Sequence, residues 1–159
     1  MKQFLILIAL FACISPSAFS QNVQPEINPS YHRLGVAANS VGGYGMSYRY
    51  MPKRIGIQIN AMPLFDLSSR YRSFSGNIGV SGLFILRDHP WIDLVMSPAF
   101  SIHNYGWEPN VYAGCTYGLM TTIFDVFEID IQFGFGVYSV LDYETLVAPA
   151  GGFGLHYKI

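Results

Sequence analysis

Residues 126–140 read VFEIDIQFGFGVYSV, and this stretch decides the fold. Phe127, Ile129, Ile131, Phe133, Phe135 and Val137 are large and apolar. Between them Glu128, Asp130, Gln132, Gly134 and Gly136 are acidic, polar or without a side chain. A period of two over about ten residues predicts a β-strand with one greasy face and one wet face. About ten residues is also the length with which a tilted strand crosses a bilayer.

The same alternation recurs along the chain. Residues 32–39 set Leu34, Val36 and Ala38 on one face. Residues 44–51 oppose Tyr44, Met46, Tyr48 and Tyr50 to Gly45, Ser47 and Arg49, and residues 55–61 oppose Ile55, Ile57 and Ile59 to Gly56, Gln58 and Asn60. Residues 77–86 oppose Ile78, Val80 and Phe84 to Asn77, Gly79 and Ser81, with Leu83 and Ile85 blurring the end. Residues 92–102, 111–124 and 152–159 repeat the pattern, so the expected count is eight strands. Connections alternate in length. Tight ones fall at 52–53, 87–90 and around Asp125; long polar and aromatic ones fall at 67–75, 104–110 and 141–149; the first, at 40–43, is short for its class. Tight turns on one side and long loops on the other are the plan of an up-and-down membrane barrel with both termini on the tight-turn side.

Volume decides which face looks outward. An eight-stranded barrel has an interior just wide enough to be filled by side chains. The apolar face, rich in Ile, Phe, Leu, Met and Tyr, is too bulky for that space, whereas Gly, Ser, Thr, Asn and Gln fit it. The expected fold is therefore an all-β, eight-stranded antiparallel transmembrane barrel with its greasy face toward lipid. Closure leaves no unpaired backbone edge in hydrocarbon. On this reading Ile131→Arg impairs insertion and Gln132→Ser is tolerated.

Composition agrees. Of 159 residues, 51% are hydrophobic, 16% aromatic and only 12% charged, about half the usual charged fraction. The net charge of −1 gives no electrostatic case for nucleic acid. Residues 1–20 read as a secretory signal: Lys2, an apolar core from Phe4 to Ile14, then Ala18-Phe19-Ser20 at the cleavage position. Lipidation at Cys13 and an uncleaved anchor are the alternatives. Residues 21–31 are then a short periplasmic segment and 32–159 the barrel. After cleavage Cys115 stands alone, which excludes a disulfide framework.

Taken together, the signal, the eight alternating strands and the turn–loop asymmetry resemble the small outer-membrane β-barrel proteins of Gram-negative bacteria. The resemblance is architectural and covers the mature chain. Such proteins end on an alternating strand closed by an aromatic residue; here Phe153, Leu155 and Tyr157 alternate and the last residue is Ile159. The resemblance implies outer-membrane lipid as surroundings and two aromatic belts at the interfaces. Trp91, Tyr48, Tyr50, Phe124 and Tyr157 are expected in the inner belt; Tyr44, Phe65, Phe74, Tyr105, Trp107 and Tyr138 in the outer.

Parity places Arg49, Asp93, Glu128, Asp130, His156 and Lys158 on the inward face near the tight turns, as one layer of mutually satisfied charges. A structural plug is the expected role, with a gate or proton site as the alternative. Arg70, Tyr71 and Arg72, with Tyr105 and Trp107, are candidates for contact with lipopolysaccharide or a surface partner. A lipid-modifying barrel, such as a lipid A deacylase, would pair His with Ser and an acidic residue at the outer rim. His103 has Ser101 before it and Glu108 after it, but Tyr105 stands where that Ser is sought. No catalytic site, metal or cofactor is expected. The predicted function is a structural or surface-interaction protein, with a narrow channel and a lipid-modifying enzyme as alternatives.

Overall fold

The computed structural model describes residues 31–66, 73–105, 109–139 and 145–159. They form eight strands: β1 (Tyr31–Asn39), β2 (Gly43–Met51), β3 (Ile55–Asp66), β4 (Ser73–Arg87), β5 (Asp93–Tyr105), β6 (Pro109–Ile123), β7 (Phe127–Ser139) and β8 (Leu146–Lys158). Each strand pairs antiparallel with the next and β1 pairs with β8, so an up-and-down barrel closes. The expected signal segment and the loop residues Arg70, Tyr71, Arg72 and Trp107 lie outside the described residues.

Alternation in sequence becomes two faces of one wall. Ile131 pairs with Leu119 on one side and Phe153 on the other, and Phe133 pairs with Tyr117. Such cross-strand apolar pairs stabilise a sheet by roughly 0.2–1 kcal/mol each. These side chains point away from the lumen and stay exposed, as do Ile57, Ile59, Ile78 and Phe100. The inward positions between them are buried: Ser47, Arg49, Gln58, Asn60, Ser81, Ser97, Thr116, Asp130 and Gln132. The β6–β7 turn is tight. Val126 N–H donates to Ile123 O at 3.3 Å, with Phe124 and Asp125 both at positive φ, the geometry that matches the twist of paired strands.

Several strands outrun the periodic segments. β3 runs on through Pro63 to Asp66, β4 starts at Ser73, and β8 starts at Leu146 with Pro149 inside it. In sequence the stretches of β3 and β8 carry proline and none of the three alternates cleanly, which is why they read as loop. As a result β3–β8 rise 12–15 residues while β1 and β2 have nine each.

The short β1–β2 hairpin does not stop at the wall. Pairing of β2 with β3 ends at Met46 opposite Ala61, and Gly43 (φ +79°) and Gly45 (φ +118°) turn the chain into the lumen. A side chain with a Cβ is strained at either value. Val41 at the tip is fully buried against Ala99 and Ala150. Gly114 and Gly136 make room for it; a Cβ at Gly114 would lie 3.0 Å from a Val41 methyl group. This bend corrects the expectation for Tyr44. By parity it belongs on the outer face, but it turns inward with the tip, its ring centroid 5.4 Å from that of His103 on β5. Tyr138, also expected in the outer belt, shares the inward parity of Gly134 and Gly136, and its ring packs at a tilt 5.1 Å from that of Tyr112.

The lumen has an apolar cluster that parity alone obscured. Met51, Leu83, Ile85, Val95 and Met120 are buried together, with Tyr31 packed on them. Leu83 and Ile85 keep the inward register of β4; the pattern blurs there because both faces of the strand are apolar.

Candidate functional site in the barrel lumen

The interior charges come from strands that the closure makes neighbours: β7, β8, β1 and β2. Arg49 is fully buried. Its guanidinium makes a short hydrogen bond to Glu128, donates to Asp130 Oδ2 at 2.8 Å, and reaches Gln58 Oε1 from Nε at 3.0 Å. Arg33 on β1 closes on the other oxygen of Glu128 at 3.2 Å and lies over the Tyr31 ring, 4.2 Å from its centroid. Two guanidinium groups thus face two carboxylates, and the cluster is neutral when His156 is neutral. Removal of one member would leave an uncompensated buried charge.

His156 stands directly across from Glu128 in the β7–β8 register. Its Nε2 is 2.8 Å from Ser47 Oγ and its Nδ1 is 3.7 Å from Asp130 Oδ2. Gly154 leaves the space these groups occupy. A Cβ there would lie 2.8 Å from His156 Cε1 and 3.0 Å from Asp130 Cγ.

From the ion cluster two polar chains run to the hairpin tip. In one, Gln132 donates to Asp130 Oδ1 at 2.8 Å and accepts from Thr116 at 2.7 Å and Asn39 at 3.2 Å. Asn39 Oδ1 then accepts the N–H groups of Val41 at 3.0 Å and Gly42 at 2.9 Å. In the other, Gln58 donates to Asn60 at 3.0 Å, and Asn60 donates to Gly42 O at 2.8 Å. The tip's backbone groups are therefore satisfied by side chains in the lumen, as burial requires. This overturns the expected tolerance of Gln132→Ser, because a shorter side chain cannot reach all three partners.

Arg49, Glu128, Asp130 and His156 meet in one cluster. Lys158 does not join it: it is exposed at the end of β8, beyond the first residue of β7, where the lumen opens at the rim. Asp93 is only half-buried and accepts the turn N–H of His89 at 3.4 Å. Both keep the predicted parity but sit too close to the strand ends to be enclosed. Arg33, Gln58, Gln132 and Asn39 were missed as members. The signal for Arg33 was present, since it alternates with Leu34 and Val36.

At the long-loop end Ser101 Oγ lies 2.9 Å from His103 Nε2, and the His103 ring packs 4.5 Å from Tyr112. A hydroxyl beside an imidazole is the geometry of an activated nucleophile. Ser101, however, is fully buried on the inward face. A Cβ on neighbouring Gly79 would meet Ser101 Cβ at 2.9 Å and the backbone of Gly42 at the tip. Among the described residues, Ser101 is thus enclosed by β4 and the hairpin tip. Glu108 and Trp107 lie outside the described residues, as does the Tyr105 side chain.

No family model matches the chain, and no curated protein matches it in sequence.

Proposed function

We propose that the chain is an integral outer-membrane protein, exported by a cleaved signal peptide, that serves a structural or surface-interaction role. One observation carries this reading: the exposed apolar band around the closed wall. Met46 is 76% exposed, Phe133 70% and Phe135 68%, and they belong to a continuous series from β1 to β8. A protein surrounded by water rarely exposes contiguous apolar patches beyond a few hundred Å². Lipid is the solvent that welcomes such a band while a buried ion cluster fills the centre. Trp91, Phe124, Tyr48 and Tyr157, exposed at the tight-turn end, suit the inner headgroup level.

The packed lumen supports a scaffold over a channel, and the enclosure of Ser101 supports it over a hydrolase. Function then belongs to the rim, where Arg70, Tyr71, Arg72, Tyr105 and Trp107 are the candidate contacts for lipopolysaccharide or a surface partner.

Electrophoresis and fractionation test the reading together. The protein should sediment with carbonate-washed outer membranes and migrate differently in SDS before and after boiling. Recovery in the soluble fraction with identical mobility in both lanes would reject it.

A further inference from the structure

Among the described residues, the pairing of β4 with β5 slips in register beside an apolar groove, and the two belong together. Along β4 and β5, Ile85 pairs with Val95, both inward, yet the next pair is Arg87 with Leu94. Leu86 is the extra residue of a β-bulge. Without it Arg87 would share the inward parity of Ile85. With it, Arg87 stands directly opposite outward-facing Leu94, and directly opposed residues share a face. Bulges re-aim side chains in this way. The slip therefore places an exposed arginine on the apolar exterior.

Leu94 also lines a groove of about 480 Å³ on that exterior, bounded by Ile92, Tyr117, Leu119, Ile131 and Phe133 with almost wholly apolar walls. Its volume lies in the range of ligand clefts, roughly 300–1,000 Å³. At its tight-turn end Thr121 donates to the backbone oxygen of Trp91 at 2.7 Å, which holds that turn against β6 and leaves the Trp91 side chain 77% exposed. An apolar trough, a cation beside its rim and an exposed indole at the same level match one occupant in charge and polarity.

We infer that this groove holds an acyl chain of an anionic phospholipid whose phosphate is bound by Arg87. The inference rests on the membrane reading above and adds a lipid class to it. A second copy of the chain fits less well, because a symmetric apolar contact would desolvate the exposed Arg87.

Fluorescence of Trp91 tests this in the full chain. The chain has two tryptophans, so Trp107→Phe leaves Trp91 as the reporter. The protein is placed in phosphatidylcholine vesicles containing a small fraction of either brominated phosphatidylglycerol or brominated phosphatidylcholine. The anionic quencher should be about five-fold more effective at equal fraction, equivalent to ~1 kcal/mol for one cation near anionic headgroups. Arg87→Gln should bring the two lipids together, while Arg87→Lys should keep most of the preference and Lys53→Gln all of it. Equal quenching in the unsubstituted protein, or a preference that survives Arg87→Gln, overturns the lipid site and leaves the membrane reading intact. A dimer mass with equal quenching assigns the groove to a second copy instead. Absence of quenching by either lipid overturns the site and the membrane reading together.

Discussion

Arg49 is the residue on which the lumen turns. It bonds two carboxylates from β7 and an amide from β3, and all of these groups are shielded from water. A buried pair broken on one side typically loses about 3–5 kcal/mol, whereas replacing the whole set by neutral groups is often close to neutral. We expect Arg49→Met to destabilise the barrel by about 3–5 kcal/mol, read as a lower urea midpoint. Combining it with Asp130→Asn, which leaves Arg33 paired with Glu128, should recover most of that loss. Equal damage from the single and double variants would mean that Arg49 acts through packing and not through charge. Arg49→Lys is no conservative change, since a point charge cannot span Gln58, Glu128 and Asp130 as a planar fork does. Gln132→Ser, by loss of a side chain that joins Asp130, Thr116 and Asn39, should cost about 1–3 kcal/mol for the buried groups left unpaired. At this scale the sequence was readable through parity alone: alternation fixes which way Arg49, Glu128, Asp130 and His156 point. It does not say how deep a residue lies, so Lys158 and Asp93 shared their direction and not their burial.

Among the elements, the β1–β2 hairpin departs furthest from what periodicity shows. Residues 40–43 read as an ordinary short connection, Ser-Val-Gly-Gly. Much of what makes the tip an interior element lies far away in sequence: the small residues Gly79, Ala99, Gly114, Gly136 and Ala150 on five other strands, and the side chains of Asn60 and Asn77. Local pattern cannot report a cavity assembled by closure. Asn39 is the residue that commits the tip, because its Oδ1 takes two backbone N–H groups that would otherwise be buried without partners. An Asx-type turn of this kind is set by one short side chain. Asn39→Ala should therefore destabilise the protein by about 1–3 kcal/mol and raise hydrogen exchange at Val41 and Gly42 ahead of the strands. Slow exchange at both amides in the variant would show that the glycine pocket alone holds the tip. The opposite case is β7, where one unbroken alternation gave strand, face and neighbours together.

Across the whole molecule, outside and inside make opposite demands on substitution. The outward band needs no partner for any one side chain, only low polarity, whereas most buried polar groups of the lumen are held by specific partners. Ile131 is outward and paired between Leu119 and Phe153. A charge there should cost roughly 2–4 kcal/mol at mid-depth in a bilayer, so Ile131→Arg should fold poorly in lipid vesicles, as measured by the fraction that shows the unboiled mobility. Among the described residues three fillings occupy the lumen: the apolar cluster around Met51 and Met120, the ion cluster around Arg49, and the Val41 tip. They meet at contacts such as Arg49 Nη1 with Met120 Sδ at 3.4 Å, so they fill the bore side by side as well as end to end. Loss of one filling leaves the other two in place. The protein should thus give no stepwise conductance in planar bilayers, and neither Val41→Gly nor Asn39→Ala should create one. A variant that combines Val41→Gly with Arg49→Ala, Glu128→Ala and Met120→Ala removes a member of each filling and is the first for which ion passage is expected. Conductance from the unsubstituted protein would show that the tip moves as a gate, and the polar chains that hold it through Asn39 and Asn60 would then be its latch.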